Sequence, residues 1–243
     1  ALAAGAATID VQVDKPGHPI PATLWGIFFE DINLSADGGI YPELVRNRSF
    51  EDSEKPEYWK LLNGGSARSE IMVDTSRPLN PFNRHSLRVN VNGDTTLENE
   101  GYWGMNIVSG DAYTLTLAAR AADGFRGPLA VKLLGAQREL AAGAVKEING
   151  EWKSYSVELT ATGSDPKARL QIVLGGRGTV FLDMVSLLPR KTWRQSALRP
   201  DLADSLDALK PSFVRFPGGC WVEGETMDRM FNWKKTIGHV DAR

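Results

Sequence analysis

The sequence has few of the residues that most often carry covalent or metal chemistry. It contains one cysteine and three histidines in 243 residues. A single cysteine excludes an internal disulfide framework, and His18, His85 and His239 do not stand at the spacing of zinc ligands. Cys220 is open to two interpretations, a thiol nucleophile or a residue that packs after a strand, of which the second is the commoner role.

Long apolar runs and an excess of positive charge are also absent. No stretch approaches the roughly 18 apolar residues that span a bilayer. Lys and Arg number 28 against 30 Asp and Glu, a net charge of -2, so neither nucleic acid nor an anionic membrane is an expected partner. No GxxxxGK[ST] or GxGxxG motif is present, which argues against a phosphate-binding loop.

The opening residues, ALAAGAA, are small and uncharged. They have the composition of the stub left when a signal peptide is cleaved at an A-x-A site. A disordered tail has the same composition, so both interpretations remain open. The first predicts a secreted or periplasmic protein.

The middle of the chain has the pattern of an all-β domain. Gly, Asn, Asp and Pro separate the strand-like runs, and no helical period intervenes. Many short strands at this spacing favour an antiparallel sandwich or jelly roll. The runs are EIMVD (70–74), SLRVNV (86–91), YTLTLAARA (113–121), LAVKLLG (129–135), KSYSVELTA (153–161), ARLQIVLGG (168–176) and TVFLDMVSLLP (179–189).

The flanking parts have a different pattern. TIDVQVD (8–14) alternates with period 2 and predicts a half-exposed strand, whereas TLWGIFF (23–29) is nearly all apolar and predicts a strand covered on both faces. Leucines at steps of three to four over 198–211 predict a helix, and SFVRFP (212–217) predicts a buried strand after it. Helix followed by strand is typical of a parallel α/β sheet. The two ends therefore predict one α/β domain with the all-β module inserted.

Polar residues at two of these strands are candidates for a site. Glu30 ends TLWGIFFE, where parallel α/β folds place their sites; the alternative is an ordinary strand-end carboxylate. Arg215 lies inside an apolar run and should be buried with carboxylate or carbonyl partners, either in a site or in a structural ion pair. The following Pro217-Gly218-Gly219 lets backbone approach a ligand, although such triplets are often simple turns.

Two tryptophans of the middle region are candidate sugar platforms. Trp103 and Trp152 follow polar or glycine-rich residues, and an exposed indole face can pack against the C–H bonds of a sugar ring. The alternative is that both belong to the sandwich core.

Two long stretches carry a resemblance to a known family. LWGIFFEDINLSADGGIYPELVRNRSFE (24–51) and LRPDLADSLDALKPSFVRFPGGCWVEGETMDRMFNWKKTIG (198–238) resemble glycoside hydrolase family 51 alpha-L-arabinofuranosidases. More narrowly, the chain resembles the branch with an inserted jelly roll similar to carbohydrate-binding module family 4.

The resemblance implies a mixed fold, a β-sandwich or jelly-roll module inserted into the N-terminal part of a (β/α)8 barrel that is incomplete in this chain. Two barrel strands without the other six leave apolar faces exposed. The implied divisions are residues 1–22 for strands of an accessory β-sandwich, 23–47 for barrel strand 1 and its loop, 48–190 for the jelly roll, and 191–243 for the start of the barrel with helix 1 and strand 2.

The resemblance also implies roles for three residues. Glu30 would hydrogen-bond arabinose hydroxyls, and Arg215 and Cys220 would line the same pocket. Many relatives have asparagine at the position of Cys220, although the branch with the module commonly has cysteine. Retaining hydrolysis in the family uses two glutamates on barrel strands four and seven. Glu223 and Glu225 do not match those motifs, so no catalytic residue is expected in this chain, which should be inactive alone.

A structural calcium ion is the one metal that the resemblance implies, with Glu51 and Asp183 as oxygen ligands; ordinary surface or turn carboxylates are the alternative. No other cofactor is required. Expected partners are an arabinose-containing polysaccharide or oligosaccharide and the missing C-terminal part of the same protein, with a homo-oligomer left open. Neither nucleic acid nor a membrane is expected.

The leading hypothesis is therefore the N-terminal portion of a secreted, retaining alpha-L-arabinofuranosidase that acts on arabinose-substituted plant polysaccharide. The alternative is a non-catalytic carbohydrate-binding protein whose jelly roll alone carries the function. A third hypothesis makes the module a spacer.

Overall fold

Two antiparallel β-sheets account for most of the secondary structure. The computed structural model describes residues 7–242. The strands are β1 (Ile27–Phe28), β2 (Trp59–Asn63), β3 (Glu70–Asp74), β4 (Ser86–Asn92), β5 (Thr95–Asn99), β6 (Met105–Ile107), β7 (Ala112–Ala122), β8 (Leu129–Leu134), β9 (Glu139–Val145), β10 (Lys153–Thr160), β11 (Asp165–Leu174), β12 (Arg177–Pro189) and β13 (Val214–Arg215). The helices are α1 (Pro200–Ala208) and α2 (Cys220–Glu223), with 3-10 turns at Ala22–Leu24, Trp193–Gln195, Trp233–Thr236 and Val240–Ala242.

The two sheets form a β-sandwich. One has the strand order β10-β7-β12-β4-β3, and the other has β2-β5-β11-β8-β9 with β6 pairing to β11. All of these pairings are antiparallel. Each strand-like run predicted between residues 70 and 189 contains a strand, so the prediction of an antiparallel sandwich is confirmed.

The core of the sandwich follows from the alternation of its strands. In β8 every second side chain is buried, from Leu129 to Val131 to Leu133, while those between them are partly exposed. Fully burying one such side chain contributes about 1.5–3 kcal/mol. Because residues from both sheets meet in one apolar cluster, the sandwich has a core of its own.

Residues 43–50, here called the strap, dock on β12 at a break in its regular pairing. The register of β12 against β7 shifts between Asp183 and Ser186. There the Val185 amide donates to the Arg48 carbonyl (2.9 Å), and the Leu44 amide donates to the Leu187 carbonyl (3.1 Å). The strap therefore takes up backbone groups that the bulge leaves free.

The buried carboxylate of Glu43 joins the strap to β12. Its Oε1 accepts hydrogen bonds from the backbone amides of Val45 and Leu187, both at 3.0 Å. Its Oε2 accepts from Ser186 Oγ (2.5 Å) and from Arg48 Nη1 (3.2 Å). Glu43 is fully buried, and burial raises the pKa of its carboxyl above the ordinary value. Four donors thus offset the cost of burying this one group.

The flanking segments form a short parallel pair. β1 pairs with β13 in parallel, Ile27 opposite Val214 and Phe28 opposite Arg215. The Phe29 amide donates to the Arg215 carbonyl and the Asp31 amide to the Pro217 carbonyl, both at 2.9 Å. The predicted helix and the strand after it are present, and the strand is parallel to the first one. The prediction that residues 212–217 form a buried strand was wrong, because β13 covers only Val214–Arg215 and both residues are exposed.

Two further local predictions differ from the structure. Residues 8–14 are exposed and form no strand, since no described strand lies beside them to supply hydrogen bonds. The first strand extends only over Ile27–Phe28. It is not covered on both faces, because Phe28 is 54 % exposed and Val214, which lies opposite Ile27, is 59 % exposed. One helix and two strands cannot enclose both faces of the pair.

Two other predictions are not tested by the structure. The stretch 1–6 lies outside the described residues, and the domain divisions at residues 22, 47 and 190 remain predictions. None of the described helices has the length and apolarity that a bilayer-spanning helix needs.

Candidate functional site

Glu30 lies at the carboxyl end of β1, beside the turn that follows β13. Its Oε1 accepts hydrogen bonds from the backbone amides of Gly219 (3.2 Å) and Trp221 (3.4 Å). The hydroxyl of Ser35 donates to the carbonyl of Glu30 at 2.7 Å, which holds the backbone of this residue. No hydrogen bond to Oε2 occurs within residues 7–242. One carboxylate oxygen is therefore held in place and the other is open to a ligand.

Gly218 permits this close approach. A Cβ at this position would lie 2.8 Å from Glu30 Cγ and 3.1 Å from Oε1. Any side chain there would displace the carboxylate or the turn, so the glycine is explained by the proximity of Glu30.

Arg215 lies on β13 next to the same end of the pair. Its guanidinium carbon is 4.7 Å from the centre of the Phe28 ring, a cation–π distance. The side chain is exposed, and no carboxylate within the described part of the chain forms an ion pair with it. The prediction of a buried arginine was wrong, because the strand pair is open to solvent; a site role stays a prediction.

Cys220 opens the short helix α2 directly after Gly219. It is an exposed free thiol. The neighbouring Trp221 packs on Phe231 with ring centroids 4.9 Å apart, which anchors the loop. The structure thus brings Glu30, Arg215 and Cys220 to one end of the parallel pair; their role in binding sugar remains a prediction.

Glu223 and Glu225 lie away from this arrangement. Both are exposed, and Glu225 pairs with Arg229 at 3.1 Å. Neither forms a hydrogen bond with Glu30 in the part of the chain that the structure describes. Their positions are those of solvated loop carboxylates.

A second candidate site surrounds Asp183, in the bulge of β12. Asp183 is fully buried. Its Oδ1 accepts from the Met184 amide at 2.6 Å, and its Oδ2 has no hydrogen-bond partner among the described residues. Burial, together with the negative charges of Glu51 and Asp241, raises the pKa of Asp183 to about 8. A buried carboxylate oxygen without a partner is costly unless a proton or a cation satisfies it.

Glu51, the other predicted calcium ligand, is bound to His85. One oxygen accepts from the His85 amide (2.8 Å) and the other is 2.6 Å from Nδ1. Among the described residues, no group of three or more His, Cys, Asp or Glu side chains is arranged to hold a metal ion. Any ion here would therefore need backbone, amide or water oxygens beside Asp183.

The two candidate platform tryptophans differ in exposure. Trp103 is 65 % exposed and lies in an open groove of about 500 Å³. Trp152 is half-buried, and its indole N–H is enclosed without a partner; it does not line that groove. We call the cavity of about 500 Å³ that contains Trp103 the Trp103 groove. Its walls include Arg46, Tyr58, Tyr102, Trp103, Lys167 and Arg169.

Sequence reasoning missed the groove residues other than Trp103. They come from the strap, from the turns next to β2 and β5, and from β11, which lie far apart in the sequence. No spacing pattern connects such segments. Of the tyrosine, lysine and arginine side chains that line the groove, only that of Tyr102 is next to Trp103 in the sequence.

Comparison with known proteins points to one enzyme family. Residues 205–243 match the family model described as the alpha-L-arabinofuranosidase 1 domain. Alpha-L-arabinofuranosidase 1 of Arabidopsis thaliana is 36% identical over 97% of this chain and 37% of its own length. An extracellular exo-alpha-L-arabinofuranosidase of Streptomyces chartreusis is 38% identical over 97% of this chain and 30% of its own length.

A solved structure agrees with these matches. The arabinose-bound structure of a GH51 alpha-L-arabinofuranosidase superposes with a TM-score of 0.85 and 32% identity, covering 94% of this chain and 39% of that one. The chain therefore spans between about 30% and 40% of the length of the relatives it matches.

Proposed function

We propose, from the match of this chain to the N-terminal part of glycoside hydrolase family 51 alpha-L-arabinofuranosidases, that the whole protein removes arabinofuranosyl residues from plant polysaccharides. This part of it supplies sugar-binding residues to the catalytic pocket and a β-sandwich inserted between the first two strands of a (β/α)8 barrel. Retaining hydrolysis then depends on two glutamates from the remainder of the protein.

The position of Glu30 carries this proposal. Its Oε1 is held by the amides of Gly219 and Trp221, and its Oε2 accepts no hydrogen bond from residues 7–242. A carboxylate fixed in this way accepts hydrogen bonds from vicinal sugar hydroxyls in one orientation only. Arg215 and Cys220 lie at the same end of the strand pair and complete one wall of the pocket.

The apolar surface of the strand pair supports a larger barrel. A cavity of about 360 Å³ opens between the β1–β13 pair and α1. The residues that line this cavity are mostly apolar, and a contiguous exposed apolar surface marks a place that another element covers. We assign its cover to the further strands and helices of the same protein; the lining includes Ile27, Phe29, Leu198, Leu206, Val214 and Phe216.

Secretion is part of the proposal. The relative from Streptomyces chartreusis is described as extracellular, and an enzyme that acts on plant polysaccharide meets its substrate outside the cell.

Arabinose release by the full-length protein tests the proposed function. We expect it to hydrolyse p-nitrophenyl alpha-L-arabinofuranoside and to release arabinose from arabinoxylan or arabinan, while residues 1–243 alone do neither. Detection of arabinose by chromatography checks the product. A folded full-length protein that cleaves none of these arabinofuranosides would contradict the proposal.

A non-catalytic carbohydrate-binding role of the sandwich is the second candidate. The exposure of Trp103 in an open groove favours it, since an exposed indole face is a platform for a sugar ring. This role and the enzymatic one are compatible, because the sandwich can hold a polysaccharide while the barrel cleaves its side chains.

Calcium binding at Asp183 is the metal proposal. The unpartnered Oδ2 of Asp183 and the nearby charge of Glu51 fit a hard cation that prefers oxygen ligands. The ion would satisfy the buried carboxylate of Asp183 in the bulge of β12 and stabilise the fold, without a role in catalysis.

Calcium is expected to raise the melting temperature of the wild-type protein, and Asp183→Asn is expected to abolish that rise. At a concentration 100 times its Kd, a ligand that binds only the folded state adds about 2.7 kcal/mol to the free energy of unfolding. Asparagine is a close mimic of the neutral aspartic acid that burial favours, so this variant should fold without calcium. Differential scanning calorimetry in EDTA and in CaCl2 measures the melting temperatures of the wild type and of the variant.

Asp94→Asn is the matched control, because Asp94 is an exposed carboxylate on the same sandwich. It should keep the full response to calcium. An equal calcium response in Asp183→Asn and wild type would contradict the assignment.

A further inference from the structure

The Trp103 groove carries more positive charge than its own carboxylates neutralise. Lys60 forms an ion pair with Glu100, and Arg169 lies 3.7 Å from Glu98. The bond with Lys60 lowers the pKa of Glu100, which keeps this pair ionised. Two further cations remain in the groove, those of Arg46 and Lys167.

Neither of these two cations pairs with a carboxylate in the described part of the chain. Arg46 stacks on Tyr58, its guanidinium carbon 3.8 Å from the ring centre, and donates to the Tyr58 hydroxyl at 2.9 Å. Lys167 Nζ donates to the carbonyl of Trp103 at 2.6 Å. Both are held by neutral groups, so their charge is available to an anionic ligand.

A buried asparagine fixes the parts of the groove relative to one another. Asn99 is fully buried. Its side-chain oxygen accepts from the amides of Gly101 (2.9 Å) and Arg46 (3.3 Å). Its side-chain nitrogen donates to the carbonyls of Arg46 (3.0 Å) and Tyr58 (3.2 Å). The strap, the turn before β2 and the turn that bears Trp103 are therefore joined at one residue.

The turn that presents Trp103 is tightly packed. Gly101 has φ +68°, and a Cβ there would lie 2.5 Å from the Leu44 carbonyl oxygen. A Cβ on Gly104 would lie 2.8 Å from the Cα of Lys167. The indole therefore projects from a constrained turn, which limits the entropy lost when a ligand packs on it.

We propose that the Trp103 groove binds a carboxylate-bearing sugar, a uronic acid residue of an acidic polysaccharide. The exposed indole face packs against the sugar ring, and the guanidinium of Arg46 and the ammonium of Lys167 bind its carboxylate. The groove volume of about 500 Å³ is within the range of about 300–1,000 Å³ typical of small-ligand pockets. This inference rests on the proposed polysaccharide-binding role of the sandwich and narrows its ligand class.

A comparison of charged and neutral ligands on the full-length wild-type protein tests the charge requirement. Isothermal titration calorimetry measures the binding of trigalacturonate and of its methyl ester, in which a neutral ester replaces each carboxylate. We expect the acid to bind at least about tenfold more tightly than the ester, because charge-assisted hydrogen bonds are the stronger ones. Its affinity should fall as NaCl rises from about 50 to 500 mM, whereas that of the ester should not.

Two sources of the same chemistry are compared in parallel. Trigalacturonate represents pectin, and a glucuronic acid-substituted xylotriose represents acidic xylan. The ligand that binds more tightly identifies the polysaccharide from which the uronic acid comes. Tenfold preference for either acid over its ester supports the proposal, and equal binding of acid and ester for both overturns it.

Variants localise the site. Lys167→Met and Arg46→Met should each weaken binding of the acid at least about fivefold and leave that of the ester unchanged, whereas Trp103→Ala should weaken both. Lys153→Met, an exposed lysine on β10, is the matched control. If Arg46→Met lowers the melting temperature, Lys167→Met alone decides, since that side chain is exposed. Unchanged binding of the acid by Lys167→Met would overturn the proposal.

The activity assay separates this inference from the proposed function. Hydrolysis of p-nitrophenyl alpha-L-arabinofuranoside should be unchanged in the Lys167→Met variant. Equal binding of the acid and its ester by a wild-type protein that still hydrolyses the arabinofuranoside refutes the inference alone. Absence of hydrolysis in the folded wild type refutes the proposed function, whatever the groove binds.

Discussion

Replacing Glu43 by alanine is expected to lower the free energy of unfolding by about 3–5 kcal/mol, the range for breaking a buried charged network. The change leaves the amides of Val45 and Leu187 and the hydroxyl of Ser186 without this acceptor. It also removes one of the two carboxylates that pair with Arg48, the other being Asp37. Urea unfolding followed by tryptophan fluorescence measures the loss.

The control for this prediction is Glu158→Ala, which removes an exposed carboxylate of β10 that pairs with Arg190. Exposed pairs contribute about 0–1 kcal/mol, so this variant should remain close to wild type. A loss of less than about 1 kcal/mol in Glu43→Ala would show that the strap is not held by this carboxylate.

The same residue predicts a pH dependence. Burial raises the pKa of Glu43 above its ordinary value of 4.5, so the folded state keeps the proton to a higher pH than the unfolded state. The contribution of this carboxyl to stability is therefore full below about pH 4.5 and is lost as the pH rises through the folded-state pKa. The difference in unfolding free energy between wild type and Glu43→Gln should fall over that window.

Replacing Glu30 by alanine is expected to lower kcat/KM of the full-length enzyme for an arabinofuranoside at least about 100-fold. Hydrogen bonds that involve a charged group contribute about 1.5–3 kcal/mol each, and the open oxygen of this carboxylate can accept two. Initial rates on p-nitrophenyl alpha-L-arabinofuranoside, with substrate both below and above KM, give kcat and KM separately.

Glu223→Ala is the matched control, because Glu223 is an exposed carboxylate on the adjacent α2. It should retain at least about half of the wild-type kcat/KM. A Glu30→Ala enzyme that stays within about threefold of wild type would contradict a role of Glu30 in sugar binding. An unchanged melting temperature would show that the effect is not one of folding.

The sandwich was predictable because its strands bury every second residue. β3 extends over Glu70–Asp74, as the strand-like run EIMVD (70–74) predicted. β5 and β9 were not predicted, since Thr95 and Asn99 of β5 are buried polar residues and β9 is mostly alanine and glycine. Such strands are defined by hydrogen bonds to their neighbours, and local hydrophobic alternation does not reveal them.

The candidate site was predictable in part. Glu30 and the Pro217-Gly218-Gly219 turn were assigned to neighbouring strand ends from the family resemblance, and the structure brings them within hydrogen-bond distance. The burial of Arg215 was predicted wrongly, because an apolar run indicates burial only where other elements cover it. Arg46 and Lys167 had no predicted role.

The sequence by itself determined the alternation of the strands, the helix and strand after residue 198, and the residue types at the ends of the parallel pair, since these depend on local periodicity and on motifs within one segment. Only the tertiary structure decided which distant residues meet. Asn99 joins Arg46, Tyr58 and the Trp103 turn, and Glu43 joins the strap to β12. These contacts depend on chain segments separated by 41 to 144 positions, and no local pattern encodes such distances.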